Sequence, residues 1–135
     1  MESAPSTSAT ASTSPMWTYV FERLTANAIL PTKSSCAAGF VLRSAYTLQI
    51  EPWCTASVLT DLQVTVPSGY IGLISPCTDK DSLLDVVTHV IDHSTAHNLA
   101  VLVSNRSPTS ITVSQGQQIS QIVFVKALSR EHDYL

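Results

Sequence analysis

The 135-residue chain is the size of one domain, and only 13% of it is charged, about half the roughly 25% usual in soluble domains. Its formal net charge is −3, and its seven Lys and Arg are scattered along the chain, which argues against nucleic acid as a partner because phosphate backbones need clustered positive charge. No apolar run reaches the roughly 18 residues a membrane span needs. Hydrophobic residues make up 44% of the chain, and a domain this small is expected to place part of that surface in a subunit interface.

The N-terminus has no basic start and no apolar core of a secretion signal. Cys36, Cys54 and Cys77 are an odd set at irregular spacing, so neither a disulfide framework nor a zinc site is expected. Together these features predict a cytoplasmic or nuclear protein with its thiols reduced.

Residues 1–15 read as a tail. Eight of the fifteen are Ser or Thr, and such a segment cannot bury enough apolar area to offset its ordering entropy. A β domain is expected over 16–128, followed by a polar C-terminal tail over 129–135. Trp17 to Leu24 alternates and predicts a strand. Ser57 to Val66 holds two apolar stretches around Thr60-Asp61. Pro67-Ser68-Gly69 predicts a turn, and Tyr70 to Ile74 a strand. Ser82 to Val87 allows one helical turn at most, and Val86 to Ile91 is a further apolar run. Leu99 to Val103 is nearly continuous and predicts a strand buried on both faces. Ile111 to Val113 and Ile119 to Val125 follow, with Gln115-Gly116 as the expected hairpin turn between them. Strands at intervals of about 8–12 residues with Gly and Pro punctuation predict an all-β sandwich or jelly roll.

Several segments carry a resemblance. Ala38-Gly39-Phe40-Val41-Leu42-Arg43-Ser44-Ala45 is similar to the first motif of the trimeric dUTPases, A-G-[YF]-D-L-x-S-A. Thr60-Asp61-Leu62 with Val66-Pro67-Ser68-Gly69-Tyr70-Ile71-Gly72 resembles the family's T-D-[LI] and P-x-G-x-x-G stretch. Pro76 stands where the second motif, P-R-S-G, begins. His89-Val90-Ile91-Asp92 resembles the third, G-[VL]-I-D. Asn98 to Asn105 is similar to the strand that follows it. Gly116-Gln117-Gln118-Ile119-Ser120-Gln121-Ile122 resembles the fourth, G-D-R-[IV]-A-Q-[LI].

The resemblance implies a distorted jelly-roll β domain assembled as a homotrimer, with sites at subunit interfaces that hydrolyse dUTP to dUMP and pyrophosphate with Mg²⁺. It places Asp92 as the base that orients the attacking water. It implies that Thr78, Lys80, Val90, Ile91, Asn98 and Gln121 contact a deoxyuridine nucleotide. The chain also departs from the family pattern. Val41 stands at the motif-one aspartate and has no oxygen. Asp79 replaces a glycine in the second motif. Thr95 and Ala96 replace the aromatic residue and cation that follow the third. Gln117-Gln118 replaces the charged pair of the fourth, and no glycine-rich, arginine-bearing fifth motif follows. A charge-assisted hydrogen bond contributes on the order of 1.5–3 kcal/mol. These losses lead to the expectation of a dUTPase-like protein with degenerate motifs, acting as a viral interaction or regulatory protein, like the dUTPase-derived adenovirus early-region proteins. The alternative is a working dUTP diphosphatase in which Thr78 and Lys80 hold phosphate and Asp79 or Asp85 replaces the missing acid.

Other features have plainer readings. Asp92 also suits a turn, where Asp bonds its own backbone. His89, His93 and His97 recur every four residues, but that spacing does not align side chains on a strand, so no metal site is expected. Asp133-Tyr134-Leu135 fits a C-terminal PDZ ligand, which adds to a sheet edge through its carboxylate and last side chain.

Overall fold

In the computed structural model, the described residues are 20–33, 39–76, 83–92 and 97–127. Among them there are strands and turns and no helix. The largest sheet has five strands in the order β2-β3-β12-β7-β9: β2 is Thr32–Lys33, β3 Phe40–Arg43, β12 Gln118–Lys126, β7 Tyr70–Ser75 and β9 His89–Ile91. A three-stranded sheet runs β5 (Thr55–Leu59), β10 (Ala100–Asn105), β8 (Leu84–Val86). Two further pairs are β1 (Phe21–Arg23) with β6 (Leu62–Val64), and β11 (Ile111–Val113) with β4 (Leu48–Ile50). Every pairing is antiparallel. The result is an all-β jelly-roll sandwich around a core that includes Leu42, Ile50, Val58, Leu62, Ile74, Val101, Val113 and Ile122, all buried.

The alternation of β12 sorts the five-stranded sheet into two faces. Ile122 is level with Phe40 and Ile74 and points to the core, and Ser120 is level with Leu42. On the opposite face Gln121 is level with Val41 and Ser75, and Val123 with Leu73. Val90 is level with Leu73, and Val125 with Ile71. Most of this second face is half-buried or open, with Val90 54% and Val125 43% exposed. Val41 is its buried member. The sheet therefore carries an apolar outer face of the kind the high hydrophobic content leads one to expect.

Gly39 makes the approach of β3 to β12 feasible. A Cβ built there would lie 2.5 Å from the Ile122 carbonyl oxygen and 2.8 Å from Val123 Cγ2. A backbone atom cannot swing away, so Gly39→Ala must push the two strands apart. We expect a loss of about 2 kcal/mol or more, read from the midpoint of urea unfolding.

Three local expectations need correction. The segment 99–103 is not buried on both faces: β10 alternates, and Leu102 is 37% exposed while Val101 and Val103 are enclosed. Only one face of the three-stranded sheet meets the core, so the apolar run misled. Gln115-Gly116 is not a hairpin turn. The Ser114 carbonyl accepts from the Gln117 N–H at 2.9 Å and Gly116 has φ +83°, so the turn is tight. But β11 pairs with β4 and β12 with β3 and β7, so the chain changes sheets there. Leu84–Val86 is strand, not helical turn, because it pairs with β10.

Candidate functional site

Asp92 follows directly on β9, at an exposed position. Val90 and Ile91 lie on that strand, Ile91 buried against the core and Val90 open. The pairing of β9 with β7 holds Val90 and Ile91. Gln121 sits on β12 between Val41 and Ser75. Its Nε2 donates to the Pro76 carbonyl at 3.3 Å, where the second motif begins. Its Oε1 is buried and has no hydrogen-bond partner among the described residues. An acceptor enclosed without a donor is costly, so this oxygen marks where a donor from outside the described chain would be stabilising. Beside it Ser120 Oγ donates to the Ser75 carbonyl at 2.8 Å and stiffens the same strand junction.

Register separates these groups. Ile91 is level with Gly72, so Asp92 comes level with Ile71, while Gln121 is level with Ser75. Four residues along a strand are about 13 Å. One copy of the chain therefore does not bring Asp92 to Gln121 and Pro76.

Thr78, Lys80, Asp79, Asp133, Tyr134 and Leu135 lie outside the described residues, as do His93, Thr95 and Ala96. Asp85 is tied to Arg106 by an exposed ion pair, Nε to Oδ2 3.1 Å, on the three-stranded sheet. His89 lies on β9, and its Nδ1 is 3.4 Å from the Val87 carbonyl oxygen. No group of three or more His, Cys, Asp or Glu able to hold a metal occurs among the described residues. Val41 adds no oxygen at the motif-one position. The described residues do not form a cage for a resident Mg²⁺. Among the described residues no helix is long and apolar enough to cross a membrane.

A second polar cluster was not singled out from the sequence. Asp61 is buried, with φ +56°, a backbone conformation that costs a residue other than Gly roughly 1 kcal/mol. Its Oδ2 accepts from Thr25 Oγ1 and from the Tyr46 hydroxyl, each at 2.5 Å. Its Oδ1 accepts from Asn98 Nδ2 at 2.6 Å, and its own N–H donates to Asn98 Oδ1 at 2.8 Å. The Asn98 amide, expected to reach the nucleotide, is thus paired with Asp61. The available signal was the pairing of Thr60-Asp61 with an apolar run on each side, which reads as a turn and hides a buried carboxylate.

Burial pushes the Asp61 carboxyl up, but the hydrogen bonds from Thr25, Tyr46 and Asn98 outweigh it and hold the group below its ordinary 3.8. The bond to Asp61 is the first reason the Tyr46 phenol is raised above 10.0. A depressed carboxylate contributes stability that is complete above its unfolded value and lost as pH falls through its folded value. Wild-type stability should therefore fall as pH drops below the ordinary carboxyl value of 3.8, and Asp61→Asn should flatten that acid limb, as measured by urea unfolding across acidic pH.

The family model described as dUTPase matches residues 25–134. The deoxyuridine 5′-triphosphate nucleotidohydrolase of Mus musculus is 37% identical over 106 residues, covering 76% of this chain and 65% of that protein. That of fowlpox virus is 36% identical over 107 residues, covering 77% of this chain and 74% of the relative. For the mitochondrial human enzyme the figures are 36% identity, 76% of this chain and 42% of the relative. The chain thus spans a little under two thirds of the mouse protein. Among solved structures, a mutant dUTPase of the Staphylococcus aureus phage phi11 superposes with a TM-score of 0.74 at 22% identity, covering 81% of this chain and 90% of that one. That likeness establishes the fold.

The relatives overturn the expectation of a non-catalytic interaction protein drawn from Val41, Asp79 and Gln117-Gln118. They are nucleotidohydrolases, matched over three quarters of the chain. On the family match over 25–134 and these identities, the chain belongs to the dUTPase family.

Proposed function

We propose that this protein hydrolyses dUTP to dUMP and pyrophosphate. The observation that carries the reading is Asp92, kept in a V-I-D context and held at the exposed end of β9, in a chain whose relatives are dUTP nucleotidohydrolases. In this reading Asp92 takes a proton from water as its oxygen attacks the α-phosphorus. The bond from that phosphorus to the bridging oxygen breaks, and pyrophosphate leaves. Thr78 and Lys80 hold phosphate. The main chain of Val90 and Ile91 flanks the base. Asp79 supplies the acidic group that Val41 lacks, since Asp85 is tied to Arg106. Mg²⁺ arrives chelated by the triphosphate, as part of the substrate, as it commonly does when few carboxylates are available.

The site would lie between copies of the chain in a homotrimer. Three findings support this: the distance of about 13 Å between the levels of Asp92 and Gln121, the buried Gln121 Oε1 that has no hydrogen-bond partner among the described residues, and the apolar outer face around Val123, Val125 and Val90. The test is pyrophosphate release from the Mg²⁺ complexes of dUTP, dCTP and dTTP. A preference for dUTP of at least about 100-fold is expected, because a site built to hydrogen-bond one base rejects analogues strongly. Equal rates for all three, or none with dUTP, would sink the reading.

A further inference from the structure

We propose that Asp61 is a positioning residue for nucleotide recognition, which it serves by fixing Asn98 against Tyr46. The inference rests on the dUTP reading of the site. Tyr46 directly follows the first motif, and Asn98 stands just before β10. Both bond the Asp61 carboxylate, on different oxygens. The link extends into the main chain. Leu99 N–H donates to the Leu62 carbonyl at 2.8 Å, and the Leu99 carbonyl accepts from Thr60 Oγ1 at 2.7 Å and Thr60 N–H at 3.1 Å. Residues 60–62 and 98–99 are thereby laced together on both sides of Asp61. Thr25 Oγ1 closes the third side and in turn accepts from the Asn27 N–H at 3.1 Å.

The chemistry reassigns Asn98. Its Oδ1 and one Nδ2 hydrogen are committed to Asp61, so the side chain acts as an anchor. The main chain of Asn98 is what the clamp positions. Asp61 can do this because an ionised carboxylate is acceptor-only and takes several donors at once, here three. Its left-handed backbone turns the carboxylate and its own N–H toward the same Asn98 amide.

The test combines kinetics with hydrogen exchange on the full chain. Tyr46→Phe removes one donor at a residue 39% exposed, with little risk to folding. It should raise KM for dUTP about fivefold with kcat within about twofold. Asp61→Asn keeps an acceptor for Asn98 and offers its amide hydrogens to the two hydroxyls, so it should raise KM about tenfold. Asp61→Leu, which offers neither, should raise it further. In the absence of nucleotide, Tyr46→Phe should speed amide exchange at Asp61 and Leu99 and leave β12 unchanged. An unchanged KM beside faster exchange would show a purely structural clamp and overturn the proposal. So would kcat falling together with stability in all variants. A wild type that ignores dUTP would sink the functional reading instead, and that result is distinct because no variant enters it.

Discussion

Asp92→Asn is expected to lower kcat for dUTP by about a thousand-fold. The substitution keeps shape and removes the ability to accept a proton, so water would have to attack without a base. Positioned acid–base groups typically supply about 100- to 10,000-fold, and a middle value suits a site where other phosphate contacts are already thin. Asp92 is exposed and follows a strand held by main-chain pairing. The thermal midpoint should hence stay close to wild type, within the roughly 0.5 kcal/mol usual for surface changes. Steady-state rates with a melting curve on the same sample check both halves. Loss of activity with a lowered midpoint would mean that Asp92 serves the turn rather than the reaction.

Mixing two inactive variants should restore activity. Gln121→Ala removes the amide whose Oε1 is buried without a partner among the described residues, and a drop of about 100-fold is expected. If Asp92 and Gln121 of one site come from different copies, trimers reassembled from equal amounts of Asp92→Asn and Gln121→Ala contain intact sites. Random assembly gives both required residues at about one site in four, so about a quarter of wild-type activity should return. If each site were built within a single copy, no intact site could form and the mixture would stay inactive. Refolding the variants together and apart, then comparing rates, measures this directly.

The fold was legible where alternation and turn chemistry agree. Tyr70 to Ile74 and Ile119 to Val125 are short β-rich runs that follow the turn signals Pro67-Ser68-Gly69 and Gln115-Gly116, and they lie within the two longest strands of the five-stranded sheet. Pairing was not legible. Ser114 to Gln117 has the residues of a hairpin turn, yet which strands it joins depends on distant partners, β4 and β3, that no local signal names. Leu99 to Val103 misled for a related reason. A strand facing solvent on one side carries Leu102 there, since apolar atoms make up much of any protein surface.

The site was legible in part. Asp92 and Gln121 are site candidates by motif resemblance alone, and the register sets them at different levels of the five-stranded sheet. Asn98 was expected at the nucleotide and is held by Asp61. The carboxylate that organises Thr25, Tyr46 and Asn98 spans sequence separations of 36, 15 and 37. No period in the sequence links such positions. The inference to lost function summed the departures at Val41, Asp79, Thr95-Ala96 and Gln117-Gln118 with the missing fifth motif, and the nucleotidohydrolases matched across the chain weigh against it.

The most direct measurement is hydrolysis of Mg²⁺·dUTP in ¹⁸O-labelled water, with both products weighed by mass spectrometry. Attack of water on the α-phosphorus places one ¹⁸O in dUMP and none in pyrophosphate. The account predicts that labelling, at a rate that depends on protein and disappears with Asp92→Asn. No product above the buffer rate, or ¹⁸O in the pyrophosphate, would contradict it.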